Sequence, residues 1–166
     1  MNTNRKTSII VGGLFILATV SAIVGTFLFT DPILNDLNYL STMYANKSVF
    51  TLGILIDAIN SVAVVAIAVM LYHLFRKQHN ALAVGYLCSR IIESVVLITG
   101  SMGLLLMPAL SQEFILAGSP DNSYFQVIGS LFLALDTLRI IIGPGIIFGA
   151  TALILNIILY QSRMVP

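Results

Sequence analysis

The sequence predicts an all-α integral membrane protein: a single domain, residues 1–166, forming a bundle of four transmembrane helices with short interfacial helices in the two outer loops. Of the 166 residues, 58% are hydrophobic and only 9% are charged, whereas soluble globular chains average about 25% charged residues. Four apolar stretches are long enough to cross a bilayer. The basic residues between these stretches fall mostly on one side, which is the pattern that orients membrane proteins.

The first predicted span covers residues 8–29, which carry no charge and follow the basic pair Arg5 and Lys6. The apolar core of a signal peptide holds only about 7–15 residues. This run is longer and continues past its small-residue segment, so we expect a retained helix.

The first outer loop, residues 30–48, begins where Asp31-Pro32 is expected to break the first helix. Apolar residues then recur at helical spacing, which is typical of a short helix lying on a membrane surface. The loop's acidic and amide residues follow no calcium-binding spacing, and they are interpreted as a solvated loop.

The second span covers residues 49–75, and its only acidic residue is Asp57. Asn60 and Ser61 follow at positions i+3 and i+4, so all three lie on one helical face. A short polar connection at residues 76–80 leads to the third span, residues 82–107, and makes the two spans an antiparallel hairpin.

The third span carries two charges near its middle, Arg90 and Glu93. Three residues apart, they share a helical stripe with Tyr86, and a charge facing hydrocarbon is costly. We therefore expect this stripe to face the bundle interior and to organise the packing of the other spans around it.

The last part of the chain is harder to divide, because residues 122–160 are too long for one ordinary span. Pro108 is expected to end the third helix. The preferred division places an amphipathic interfacial helix at residues 123–136 and the fourth span at residues 138–160. The alternative is two short spans joined at residues 143–145, of which the second is short for hydrocarbon.

Topology follows from the basic residues. The positive-inside rule places both termini in the cytoplasm. The basic residues on the cytoplasmic side are Arg5, Lys6, Arg76, Lys77 and Arg163, and the charged residues on the outer side are Lys47, Asp31, Asp36, Glu113 and Asp121.

The ionisable residues within the spans are expected to pair, Asp57 with Arg139, and Glu93 with Arg90 or Asn60. Two interpretations stay open: the pairs only hold helices together, or they line a polar pocket or proton relay, since ionisable groups within spans are functional candidates. On the second interpretation, the ligand-binding residues are Asp57, Asn60, Tyr86, Arg90, Glu93 and Arg139.

No recognised catalytic or metal motif is present: there is no HExxH, no CxxC and no glycine-rich phosphate loop. The two histidines, His73 and His79, are not expected to face each other across a bundle. We therefore expect no metal and no cofactor and assign no catalytic residue. The net charge of +1 argues against nucleic acid as a partner; membrane lipids, a second copy or a partner membrane subunit are expected instead.

Three segments resemble a known family: the opening RKT followed by VGGLFILATVSAIVG, the LY pair at residues 71–72 followed by RK, and the closing LYQSRMVP. Together with the block at residues 89–100, they resemble the bacterial membrane family catalogued as domain of unknown function 4386. The resemblance implies a multi-pass protein of the bacterial inner membrane and implies no chemistry. Family members usually continue past the SRxVP segment into further helices, so this chain is expected to be a short or truncated member.

Three functions are compatible with these patterns. The first is a non-enzymatic protein, a transporter-like or sensing module, that binds a small molecule, lipid or ion at the polar cleft. The second is a membrane-embedded enzyme acting on a lipid or isoprenoid, with Glu93 or Asp57 as general acid or base. The third is a structural subunit of a larger complex.

Overall fold

The fold was obtained as a computed structural model that describes residues 3–120 and 124–162. All the secondary structure in these residues is helical. Four helices are long and apolar enough to cross a membrane, which confirms the predicted class. Their ranges are Arg5–Leu34, Lys47–Phe75, Asn80–Leu116 and Tyr124–Gln161. Two parts of the sequence predictions lie outside the described residues: Asp121 and the closing residues RMVP, which include Arg163.

The first long helix consists of α1, Thr3–Ile23, a π-helical segment, Val24–Thr30, and one further turn, α2, Asp31–Leu34. The break expected at Asp31-Pro32 is wrong by one turn. Pro32 lies just after the π-helical segment, whose wider turn accommodates the missing N–H and the proline ring, and the helix ends within the next turn, at Leu34.

The outer loop contains the expected short helix, α3, Tyr39–Ala45. Asp36 fixes the turn before it, because its carboxylate accepts the backbone N–H of Asn38 at 2.7 Å and the hydroxyl of Thr42 at 2.9 Å. These hydrogen bonds favour the ionised form and hold the pKa of Asp36 below its ordinary value. Beside it, burial raises the pKa of the Tyr39 phenol.

The second and third long helices are α4, Lys47–Phe75, and α5, Asn80–Leu116. They form the expected hairpin, but Pro108 lies inside α5 instead of ending it. The turns beyond Pro108 pack on α3, where the hydroxyl of Ser111 donates to the carbonyl of Leu40. An apolar cluster of Leu40, Phe114 and Phe125 surrounds that contact, so tertiary packing maintains the helix past the proline.

The fourth long helix comprises α6, Tyr124–Ile140, a second π-helical segment, Ile141–Ile147, and α7, Phe148–Gln161. These three segments are continuous, so the predicted boundary between an interfacial helix and a fourth span is absent from this part of the chain. The alternative, in which the chain reverses at residues 143–145, is not observed there either. Pro144 lies inside the π-helical segment. A wider π turn accommodates the lost N–H and the ring of a proline without reversing the chain.

Each long helix packs on the next one along the chain: α1 on α4, α4 on α5, and α5 on the fourth helix. One apolar cluster joins all four helices near Phe75, Ala83 and Ile158. A second cluster near Met43, Phe50 and Met107 joins the opposite end. The charged residues of the spans lie between these two apolar clusters.

Candidate functional site

The first buried charged group lies on α5. The Nη1 atom of Arg90 donates to both carboxylate oxygens of Glu93, at 3.2 and 2.9 Å. Its Nε atom donates to the hydroxyl of Tyr86 at 3.4 Å, and its guanidinium carbon lies 5.0 Å from the centre of the Phe148 ring. Tyr86, Arg90 and Glu93 are all buried, as the stripe predicted.

The second buried charged group joins three helices. The Nη1 atom of Arg139 donates to Asp57 at 2.7 Å and lies 3.5 Å from the hydroxyl of Ser101. The Nη2 atom of Arg139 pairs with Asp136, one turn earlier on the same helix, at 2.9 Å. The expected pair of Asp57 with Arg139 is therefore present, and Asp136 is a second carboxylate that the sequence analysis missed.

The two groups differ in what they connect. Asp57 lies on α4 and Arg139 on α6, so their bond links two helices and helps to hold the bundle together. Arg90 and Glu93 lie one turn apart on α5, so their bond links no helices. An interhelical ion pair explains the first of these pairs, whereas Arg90 reaches other helices through the rings of Phe15 and Phe148.

A cleft of about 230 Å³ lies beside the Arg90–Glu93 pair. All four long helices contribute to it, and its walls are mainly apolar. Its lining residues are Phe15, Ala18, Thr19, Ala22, Ile23, Asn60, Val64, Ile67, Arg90, Glu93, Pro144 and Phe148.

The rim and the floor of the cleft come from different helices. The exposed lining residues are Thr19 and Ile23 on the first helix and Pro144 and Phe148 on the fourth. The lining residues of α4 and α5 are buried, apart from the partly buried Asn60. Since α1 and the fourth helix make few contacts beside the cleft, the cleft opens to the side, between these two helices.

Two polar groups at the cleft have unused hydrogen-bonding capacity. Within residues 5–120 and 124–162, the Nη2 atom of Arg90 and the side-chain amide of Asn60 have no hydrogen-bond partner. In those residues, the hydroxyl of Ser61 is the side-chain polar atom that is both fully buried and without a hydrogen-bond partner. The Nη2 atom of Arg90 and the amide of Asn60 are therefore accessible from outside the protein. The cleft therefore offers free donors to a bound molecule.

Comparison with known protein families gives a match over most of the chain. Residues 10–166 match the family model described as Domain of unknown function (DUF4386). The chain belongs to this family. No curated protein and no solved structure matches it. The DUF4386 match covers every residue of both charged groups and of the cleft.

Within this DUF4386 chain, the six predicted ligand-binding residues divide into three sets. Asn60, Arg90 and Glu93 line the cleft together. Tyr86 is buried beneath Arg90 as its hydrogen-bond acceptor. Asp57 and Arg139 belong to the separate interhelical group and do not line the cleft.

Sequence analysis missed the aromatic and small residues that shape the DUF4386 cleft. Phe15 and Phe148 lie 6.0 and 5.0 Å from the guanidinium carbon of Arg90, but a search for polar residues within spans does not find them.

Asp136 was assigned to an interfacial helix. Its spacing of three residues from Arg139 was the signal that could have found it. Across the described residues, no group of three or more His, Cys, Asp or Glu side chains is arranged to hold a metal ion.

Proposed function

We propose that this chain is a ligand-binding membrane protein, a transporter-like or sensing module, that binds a small molecule in the cleft beside Arg90 and Glu93. The observation that carries the proposal is the intrahelical ion pair facing an open cleft. Burying a charge within a span costs about 2.5–3.5 kcal/mol on insertion scales. The hydrogen bonds of this pair join no helices, and the Phe15 and Phe148 rings that Arg90 meets on other helices are themselves lining residues of the cleft.

Three further features support binding at this position. The cleft has a floor of buried residues from α4 and α5, which gives a ligand a preformed surface. Asn60 and the Nη2 atom of Arg90 supply unpaired donors. The mixture of apolar walls with a few convergent polar groups is the usual character of a ligand pocket.

Blocking the cleft with a larger apolar side chain tests the proposal. Ala22 lines the cleft, and Ala22→Leu fills part of it without changing any charge. We expect the purified wild-type protein to carry a bound small molecule in native mass spectrometry and Ala22→Leu to lose it. Ala150→Leu is the matched control, because Ala150 lies on the exposed face of α7, and this variant should retain the ligand.

Two results would contradict the proposal: a wild-type protein without any bound small molecule, or a ligand that Ala22→Leu retains at the wild-type level. A membrane protein that co-purifies at fixed stoichiometry while the cleft is vacant favours the structural-subunit alternative. Native mass spectrometry reports all of these outcomes in one measurement.

The proposed setting is the bacterial inner membrane, with lipids as immediate partners and a second copy or another membrane subunit beside the bundle. The four apolar helices support a multi-pass location, and the resemblance to a bacterial membrane family supports the compartment. The same mass spectra give the oligomeric state, and fractionation of the bacterial envelope checks the compartment.

A further inference from the structure

We infer that the cleft takes its ligand sideways from the bilayer, and that this ligand is a neutral amphiphile with an oxygen-bearing head group and one apolar tail. The inference rests on the proposed function and specifies the chemistry of its ligand. Three properties of the cleft lead to it: the position of the opening, the balance of charge, and the distribution of unpaired donors.

The opening lies between two helices whose outward surfaces are apolar. Next to the exposed rim residues, the first helix exposes Val20 and Phe27, and the fourth helix exposes Ile141 and Ile146. Both helices are long and apolar enough to cross a membrane, so these surfaces face acyl chains. A molecule that reaches the rim between them comes from the hydrocarbon phase.

The charge at the cleft is balanced before a ligand binds. Arg90 and Glu93 are its only ionisable lining residues among the described side chains, and they neutralise each other through two hydrogen bonds. Asp57 and Arg139 are paired elsewhere. A charged head group would therefore enter an apolar site without a counter-charge or would break the existing pair, and both are costly.

The unpaired groups specify a head group that accepts hydrogen bonds. The Nη2 atom of Arg90 only donates, and the amide of Asn60 both donates and accepts. Carbonyl, ester and hydroxyl oxygens suit these partners. The rest of the lining, including Ala18, Val64 and Ile67, suits hydrocarbon. A volume of about 230 Å³ is below the usual range for drug-sized ligands, so the tail extends through the opening into the bilayer.

A single-tryptophan reporter tests the chemistry, because the chain contains no tryptophan. Phe148→Trp places a fluorophore at the rim and preserves a ring beside Arg90. The probes are 1-monoolein, oleic acid and oleylamine, which share one acyl chain, added to protein in nanodiscs at a pH where the acid and the amine are both ionised. We expect monoolein to change the tryptophan emission with an affinity at least about tenfold higher than the two ionised probes.

Ile157→Trp is the matched control, because Ile157 is 44% exposed and Phe148 is 43% exposed, but Ile157 does not line the cleft. Its emission should not distinguish the three probes. If Phe148→Trp does not fold, Ile23→Trp reports from the opposite rim.

Lipids brominated on the acyl chains should quench the Phe148→Trp emission as strongly as the control emission. Stronger quenching of Phe148→Trp by aqueous acrylamide would overturn the lateral opening.

The remaining outcomes separate this inference from the proposed function. Equal or tighter binding of oleic acid or oleylamine overturns the neutral head group, while the proposed function stands. If no probe binds, but native mass spectrometry shows a ligand that Ala22→Leu loses, only the ligand class is wrong. If no probe binds and the wild-type protein carries no ligand, the inference and the proposed function both fail.

Discussion

Single residues determine how closely the helices approach, and Gly100 is the clearest case. A Cβ atom at this position would overlap the aliphatic stem of Arg139. The glycine thus lets the arginine pass across α5 and reach Asp57 on α4. Sequence patterns predict the buried stripe of α5, but they do not show that Gly100 makes room for a side chain from the fourth helix.

Gly100→Ala should destabilise the protein. The new methyl group displaces Arg139 from its two carboxylates, and overpacking of this kind costs about 1–3 kcal/mol. Gly85→Ala is the control, because its Cβ meets nothing within 4 Å and alanine favours helix more than glycine by about 1 kcal/mol. Thermal unfolding in detergent should give a lower Tm for Gly100→Ala and an equal or higher Tm for Gly85→Ala. Equal Tm values for the two variants would refute the close contact.

The Arg90–Glu93 pair should be dispensable for folding when both charges are removed together. A buried ion pair replaced by apolar residues is often neutral or stabilising, whereas removal of one partner leaves an uncompensated charge at a cost of about 3–5 kcal/mol. We expect Arg90→Leu with Glu93→Leu to melt close to the wild type, to melt above either single variant, and to lose the cleft ligand. A double variant that melts as low as the worse single variant would assign the pair a structural role.

The sequence predicted the pair of Asp57 with Arg139 and offered Arg90 or Asn60 as the partner of Glu93, because helical period and depth within a span restrict which side chains can meet. It did not separate the pairs by role. That distinction depends on which helices each pair joins and on where the opening lies, and both depend on packing between residues far apart in the chain. The aromatic wall at Phe148 depends on the same packing.

Among the elements, the two π-helical segments have no counterpart in the sequence predictions. They interrupt the first and fourth helices, the two that form the rim of the cleft. The first segment brings Gly25 against Gly53, where a Cβ at Gly25 would lie 2.6 Å from the Gly53 carbonyl oxygen and 2.8 Å from the Asp57 backbone nitrogen. The two helix backbones are therefore in direct contact at the level of Asp57.

Gly25→Ala should separate α4 from the first π-helical segment. Backbone atoms cannot rotate away as side chains can, so the helices must move apart, and we expect a loss of about 1–3 kcal/mol. Gly12→Ala provides the comparison, because its Cβ meets nothing within 4 Å, and it should leave the Tm unchanged or raise it slightly. A Tm for Gly25→Ala that matches Gly12→Ala would argue against this backbone contact.

The helix ends expected at prolines differ from the observed helix ends for one physical reason. Pro108 predicts a helix end from local chemistry, because a proline removes a backbone donor and crowds the preceding turn. Pro144 led only to the alternative division, with its break at residues 143–145. Packing against α3 keeps α5 helical past Pro108, and a π-helical turn accommodates Pro144. At Pro32 the expected helix end differs from the observed one by a single turn, because the helix continues to Leu34.

For the whole molecule, composition and the number of apolar runs were sufficient to predict the fold class. The long helices exceed what the bilayer requires, since 37 residues of α5 rise about 55 Å against a hydrocarbon core of about 30 Å. The length beyond the core packs with α3 through Leu40 and Phe114. Sequence reasoning missed this extension because it limited each span to the thickness of the bilayer.

Four crossings predict that both ends of the chain lie on the same side, and the positive-inside rule makes that side the cytoplasm. We expect a green fluorescent protein fused to either terminus to be fluorescent in bacteria, and alkaline phosphatase fused at either terminus to be inactive. Alkaline phosphatase inserted in the loop after Ala45, next to Lys47, should be active. Termini on opposite sides would require an odd number of crossings.

The link between Asp57 and Arg139 spans 82 residues of the chain, and synthesis proceeds from the N-terminus. Asp57 is therefore made long before the guanidinium that neutralises it, whereas Arg90 and Glu93 emerge almost together. The nascent chain carries an unmatched carboxylate while the rest of α4, all of α5 and most of α6 are made. Synthesis of the fourth helix supplies Arg139 and ends that state.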